Sequence, residues 1–214
     1  MDTIRLKARA KINLGLDVVR RREDGYHEVK MVMQMLRLYD QIDIEKTQES
    51  GIFVRSNLSF LPTDERNIAY KAAKVMIDQF GLEQGVIIRI EKHIPVAAGM
   101  AGGSTDCAAV LYGMNKLFGL RLNQKKLREL GVKLGADVPY CLMRQTALSE
   151  GIGEILTPIS PLQDCPILIA KPSVSVSTRH VYEHLKLDEQ TNHPDIDGIV
   201  TALADGDLYG VTDR

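Results

Sequence analysis

The chain has 214 residues, 44% hydrophobic and 26% charged, with a formal net charge of -1. This is the balance of a globular protein with a sizeable core; it argues against disorder and removes any electrostatic reason for bulk nucleic-acid binding. Three scattered cysteines (Cys107, Cys141 and Cys165) show no CxxC or Cys/His spacing, and no leader pattern or bilayer-length apolar run is present, so the expected setting is the cytoplasm, without a disulfide framework, structural zinc or membrane partner.

The first half reads as strands. Ile4–Ala8 and Ile12–Val19 are rich in branched apolar residues, and Arg20–Gly25 forms a charged turn closing on Asp24-Gly25. Glu28–Met33 and Gln41–Glu45 alternate as strands with one wet face, and Ile52–Arg55 is a further short strand. Asn67 has the character of a helix N-cap, followed by Ile68, Ala72, Met76 and Phe80 at helical spacing up to Gly81. Val86–Ile94 is a β-branched strand that runs into Pro95 and a glycine-rich loop. Helices are expected from Ser104 through Leu117 and from Gln124 to Leu134, ahead of Gly135-Ala136-Asp137-Val138-Pro139. Strand-like pieces at Thr146–Ser149 and Pro166–Ala170 and helices near Thr178–Leu185 and Ile196–Ala204 complete the chain. Strands followed by interleaved helices indicate an α+β fold rather than a doubly wound sheet. Prolines around Pro158–Pro161 suggest a boundary between a lobe over 1–160 and a second over 161–214.

The loop reads PVAAGMAGGSTDCAA and sits between a strand and a helix, where a phosphate cradle works best. Glycines let successive N–H groups turn inward, and the helix N-terminus adds free donors and positive potential. The residues expected to hold ATP phosphates are Pro95, Ala98, Gly99, Met100, Ala101, Gly102, Gly103, Ser104 and Thr105. The hydroxyls of Ser104 and Thr105 would serve as donors, or Ser104 as a contact to Mg²⁺. A Walker A loop would need a lysine that is absent here, and the GxGxxG fingerprint fails at Ala101. By itself, the cluster is equally well explained as a tight strand-to-helix turn without a ligand.

Three segments together resemble the GHMP kinases, the superfamily of galactokinase, homoserine kinase and mevalonate kinase. The loop is similar to that family's ATP-phosphate motif. AKINLGLDVVRRREDGYHEVKMVMQML, LGADVPYCL and KPSVSVSTRHVYEHL resemble, in the same order, the branch acting in non-mevalonate isoprenoid synthesis. The resemblance implies a GHMP kinase fold, with an N-terminal lobe like domain 2 of ribosomal protein S5 and a ferredoxin-like C-terminal lobe, here incomplete. It implies transfer of the ATP γ-phosphoryl group to the 2-hydroxyl of 4-(cytidine 5'-diphospho)-2-C-methyl-D-erythritol. In that reading Asp137 matches the general base and Lys11 the lysine beside it. Asn13 would orient substrate hydroxyls, Tyr26 and His27 would hold the cytosine, and Tyr182 would close a sandwich on the base. Base removal and an adjacent cation suit in-line attack by a tertiary alcohol. The plainer alternatives are a turn aspartate for Asp137, a solvated strand lysine for Lys11 and half-buried packing for the tyrosines. Asn67, in RNIAYKAA, matches a nucleotide-contacting segment as well as a helix cap. Oligomeric state is left open, a homodimer being one option.

The sequence also departs from the family pattern. Met100 replaces a leucine, Ala98 and Ala101 stand where glycine is frequent, and Arg144-Gln145 replaces a glycine pair. The family carries a further C-terminal glycine-rich stretch, whereas this sequence stops at Asp213-Arg214, so a second lobe lacking part of its sheet is expected. Among rival readings, His180-Val181-Tyr182-Glu183-His184 matches the H-x-x-E-H zinc-peptidase pattern. A non-catalytic nucleotide-binding relative and a kinase of mevalonate or homoserine are the others. Arg20-Arg21-Arg22 reads as a solvated hairpin tip rather than a nucleic-acid patch.

Overall fold

The computed structural model describes residues 2–172, 181, 182, 184, 185, 187, 188 and 191–213. The elements in chain order are β1 (Thr3–Arg21), β2 (His27–Thr47), β3 (Ile52–Ser56), α1 (Ile68–Phe80), β4 (Gly85–Glu91), α2 (Gly102–Leu117), α3 (Gln124–Gly131), α4 (Val138–Met143), β5 (Ala147–Glu150), β6 (Ile155–Pro158), α5 (Ile196–Asp205) and α6 (Leu208–Thr212). The four strand segments read in the first 45 residues are two long continuous strands. β1 and β2 pair with each other across a turn in which Arg22 N–H donates to Tyr26 O at 2.8 Å and Gly25 takes φ +86°. No helix among the described residues is long and apolar enough to cross a membrane.

The chain forms two compact units. The first comprises Met1–Ala10, Leu36–Val96 and Met100–Met143; the second comprises Lys11–Met35, Ala97–Gly99 and Arg144–Arg214. The lobe boundary expected near residue 160 lies inside the second of these.

In the first unit, β4 pairs antiparallel with β2 (Ile44 opposite Ile88) and parallel with β3 (Val54 opposite Ile88). A parallel pair needs a crossover, and α1 supplies it between β3 and β4. Asn67 caps α1 as expected, accepting from Ala69 N–H at 2.9 Å, and Gly81 ends it in the left-handed conformation. One face of β2 and β4 buries Ile42, Ile44, Val86 and Ile88; α2 covers it with Cys107, Val110, Leu111 and Met114. Gly113 makes that approach possible, because a Cβ there would lie 2.5 Å from Ile44 Cδ1 and 2.9 Å from Leu6 Cδ1. β4 ends three residues before Ile94, the expected end, for a physical reason: side chains replace the ladder. Asn57 Oδ1 accepts from Lys92 N–H at 2.8 Å, and Asp40 Oδ1 accepts from His93 and Ile94 N–H at 2.6 and 2.8 Å. The short helix α4 had no counterpart among the elements expected from sequence.

In the second unit, β5 pairs antiparallel with residues 31–33 of β2 and with β6. Val32 packs with Ile196, Ile199, Ala202, Leu203 and Val211, which gives α5 and α6 their buried face. Gly15 allows α5 to approach, since a Cβ there would meet Ile199 Cδ1 at 2.6 Å. The Lys30–Asp197 ion pair, at 2.6 Å, lies in the same unit. The strand expected at Pro166–Ala170 does not form. That segment has no ladder partner among the described residues and leaves Leu168 96% exposed.

Candidate functional site

Three backbone reversals shape the glycine-rich loop. Ala97, Gly99 and Ala101 all have positive φ, at 54°, 71° and 55°. Alternating left-handed residues turn N–H groups to one side, the geometry that receives an anion. The helix begins at Gly102 rather than at Ser104, because Ala101 serves as the N-cap in a left-handed conformation. No side chain caps this end. Thr105 N–H is taken by Ala101 O at 2.8 Å, while the N–H groups of Gly102, Gly103 and Ser104 stand at the start of the helix for a ligand to use. Gly102 packs closely: a Cβ would lie 3.2 Å from Lys92 Nζ and 3.3 Å from Ile94 Cγ2, tighter than most such contacts. Met100 and Thr105 are buried and anchor the turn, and Ser104 is half-buried. Pro95 is exposed and Ala98 half-buried.

Asp137 stands at the beginning of α4, where its carbonyl accepts from Cys141 N–H at 3.0 Å. The chain reaches it through Gly131 and Gly135. A Cβ on Gly131 would meet Val138 Cγ1 at 2.7 Å, so α3 and α4 meet without a side chain between them. A Cβ on Gly135 would lie 3.8 Å from Ser104 Oγ. The turn carrying Asp137 is therefore a direct neighbour of the hydroxyl in the first turn of α2, within one unit.

A buried charge cluster next to this loop was not singled out in the sequence. Lys92 Nζ bonds Asp40 Oδ2 and donates to Asp106 Oδ2 at 2.7 Å; the three side chains are 5%, 0% and 6% exposed. Burial pushes Asp106 up to about 8, with Lys92 pulling it down and Asp40 adding to the rise. Lys92 feels the burial too, but the two carboxylates outweigh it and hold the ammonium above its ordinary value. Asp106 Oδ1 is buried without a hydrogen-bond partner. The available signal was one charged residue in the otherwise uncharged run Ser-Thr-Asp-Cys-Ala-Ala-Val, on a helix whose neighbouring positions are core.

The second unit carries the other expected residues. Lys11 is buried on β1, and its Nζ donates to Asn13 Oδ1 at 3.2 Å; Asn13 Nδ2 in turn lies 3.8 Å from Met31 Sδ. Tyr26 is 62% exposed at the hairpin end. The rings of His27 and Tyr182 are in tilted contact, with centroids 5.1 Å apart and planes at 40°. At that separation nothing fits between those two rings. Arg20 pairs with Glu28 at 2.6 Å and Arg22 with Asp24 at 2.9 Å, so two of the three arginines of the run are engaged by carboxylates of the same hairpin. For the H-x-x-E-H pattern, His180 and Glu183 lie outside the described residues, and His184 is an exposed helical residue. No group of three His, Cys, Asp or Glu able to hold a metal occurs among the described residues.

Residues 67–145 match the model of the GHMP kinases N terminal domain, a span that begins at the cap of α1 and contains both the loop and Asp137. The chain is 58% identical, over 98% of its length and 72% of the relative's, to a 4-diphosphocytidyl-2-C-methyl-D-erythritol kinase of Lachnoclostridium phytofermentans. The crystal structure of a 4-(cytidine 5'-diphospho)-2C-methyl-D-erythritol kinase superposes with a TM-score of 0.81 at 35% identity, covering 95% of this chain and 72% of that one. Homoserine kinase from Cytophaga hutchinsonii shares the fold, with a TM-score of 0.70 at 19% identity over 99% and 70% of the two chains. With the uncapped helix start, the adjoining aspartate turn and an identity this high over this much of both chains, the chain belongs to the 4-diphosphocytidyl-2-C-methyl-D-erythritol kinase family of the GHMP kinases.

Proposed function

We propose that the chain transfers the γ-phosphoryl group of ATP to the 2-hydroxyl of 4-(cytidine 5'-diphospho)-2-C-methyl-D-erythritol, as a cytoplasmic step of non-mevalonate isoprenoid synthesis. The observation that carries this reading is the adjacency of Ser104 to Gly135, which brings the phosphate-type helix start next to the turn that leads into Asp137. The names of the relatives supply the acceptor. Three free cysteines, two of them buried, suit a reducing compartment.

In this reading the N–H groups of Gly99 to Ser104 bind the phosphates, and Thr105 and Met100 fix the turn from beneath. Asp137 accepts the proton of the attacking hydroxyl as the new P–O bond forms and ADP leaves with the β–γ bridging oxygen. Lys11 offsets the charge that develops at the acceptor oxygen, and Asn13, bonded to Lys11, orients the polyol. The exposed face of Tyr26 stacks on the cytosine, with Tyr182 positioned by His27. Mg²⁺ fits here as a companion of the nucleotide: Ser104 Oγ would hold it together with phosphate oxygens and water, and it would supply charge neutralisation.

The test is ADP release with the diphosphocytidyl substrate, mevalonate and homoserine in parallel. Turnover should appear with the first alone. Asp137→Asn should lower kcat by roughly 10²–10⁴-fold and leave binding of an imido analogue of ATP within about twofold. Turnover with mevalonate or homoserine but not with the cytidine compound would overturn the assignment of acceptor. Nucleotide binding without turnover on any acceptor would favour a non-catalytic relative.

A further inference from the structure

Both stems of the glycine-rich loop end on the same buried ion cluster. The entry stem is Lys92-His93-Ile94. Its last two N–H groups donate to Asp40 Oδ1, and both backbone groups of Lys92 are held by Asn57, whose Oδ1 accepts from the N–H at 2.8 Å and whose Nδ2 donates to the carbonyl at 3.2 Å. The exit stem is the start of α2, where Asp106 opens the second turn. Lys92 Nζ bridges Asp40 to Asp106 and lies directly under Gly102, as the 3.2 Å approach to a Cβ there shows. Between the stems, Ala97 and Ala101 hold left-handed conformations that cost an alanine about 1–2 kcal/mol each. Such conformations persist only where the surroundings over-determine them.

We propose that Asp40, Lys92 and Asp106 form a clamp that holds the two stems of the phosphate loop at a fixed spacing for ATP, making Lys92 and Asp106 positioning residues for phosphoryl transfer. The proposal rests on the reading of this loop as the nucleotide site, and its ground is the shared cluster at both stems. Three further observations support it. The cluster is buried, so its geometry is shielded from bulk solvent. Asp40 is fully committed, bonded to two backbone N–H groups and the ammonium. Asp106 is held through one oxygen, Oδ2 on Lys92, so the tie between the stems runs through that ammonium.

The cluster's charge has a direct consequence. With Asp106 protonated the three groups sum to zero; once it ionises they sum to minus one, immediately beneath a site for anions. Asp106 faces Lys92 from beyond β4 and Asp40 from β2, and among the described residues no charged group of α1, α3 or α4 acts on it. Its rise to about 8 comes from burial first, so the change falls just above neutral pH. Nucleotide affinity therefore drops as pH rises through that range.

The experiment measures binding of the imido analogue of ATP by calorimetry from about pH 6.5 to about pH 9, in the wild type and in Asp106→Asn, which keeps the shape and an acceptor for Lys92 but cannot ionise. Because the analogue titrates too, the quantity read is the ratio of the two dissociation constants. That ratio should shift against the wild type by about 3- to 10-fold across the range. A ratio independent of pH would overturn the charge argument. Hydrogen exchange at the amides of 102–105 without nucleotide is the second readout. Lys92→Met, or Asp106→Leu if that variant fails to fold, should speed exchange there by about tenfold or more while α5 is unchanged. Unchanged exchange at 102–105 would overturn the clamp. Should the wild type bind no nucleotide at any pH, the kinase reading falls, and the exchange result alone decides whether the stems are clamped.

Discussion

Tyr140 is 1% exposed, and its hydroxyl is buried without a hydrogen-bond partner, so it carries an unrecovered desolvation cost. Burial pushes its phenol well above the ordinary range, with Cys141 and Asp137 adding to the rise; the group stays neutral. Tyr140→Phe should therefore stabilise the fold by about 1 kcal/mol, read as a higher urea midpoint at unchanged slope. A lower midpoint would reveal a partner for the hydroxyl. Arg144 has φ +57° and is exposed: the arginine accepts a left-handed conformation of the kind that suits the glycine the resemblance implied there. Asp106 links stability to pH. Its folded value is raised above that of the unfolded chain, so between the ordinary carboxylate range and about 8 the folded state holds more protons, and stability falls as pH rises. Lys92, also raised, acts with the same sign at higher pH, its contribution being lost as pH climbs through its folded value. Compared with Asp106→Asn, the wild type should lose ground in urea midpoint from about pH 5 to about pH 8. A constant difference between the two proteins would mean that Asp106 does not change its proton occupancy on folding.

Helix α1 was legible almost to the residue, because its start and stop are written in local chemistry. Asn67 accepts from Ala69 N–H and donates through Nδ2 to Pro62 O at 2.8 Å, and Gly81 supplies the left-handed end. Asn67→Ala should cost about 1 kcal/mol, seen as a loss of a few degrees in Tm. If Asn67 is a cap and nothing more, affinity for the ATP analogue stays unchanged; a large loss of affinity would give the residue a place in the nucleotide site. The start of α2 was misjudged by two residues for the opposite reason. Ser104 has the composition of a cap, yet the left-handed Ala101 takes the cap position and Gly102, packed over Lys92 and Ile94, is the first helical residue. β4 likewise stops early because Asn57 and Asp40, distant in sequence, take over its backbone N–H groups. Local propensity could not register either event, since both depend on side chains from other elements.

Over the whole molecule, the composition signals a core, and each unit has one. An exception is Ile167-Leu168-Ile169, an apolar run that is exposed and has no ladder partner among the described residues. Such an edge invites association, so Leu168→Lys should raise the concentration at which the protein remains monodisperse without changing its Tm; a fall in Tm would mean that the side chain packs in the folded protein. The strand expected there had every local mark, β-branched residues between prolines, and lacked only a partner among the described residues. The sequence by itself determined the α+β class, the glycine-rich loop, the capped helices and, through resemblance, the kinase family, because these are carried by residues close together in the chain or by motifs in a fixed order. The tertiary structure alone decided that Ser104 adjoins the Asp137 turn, that Ala97 and Ala101 are left-handed, and that Asp40, Lys92 and Asp106 meet in the interior. Those facts depend on contacts among elements tens of residues apart, and burial, which gives the ions their force, is a property of the folded interior.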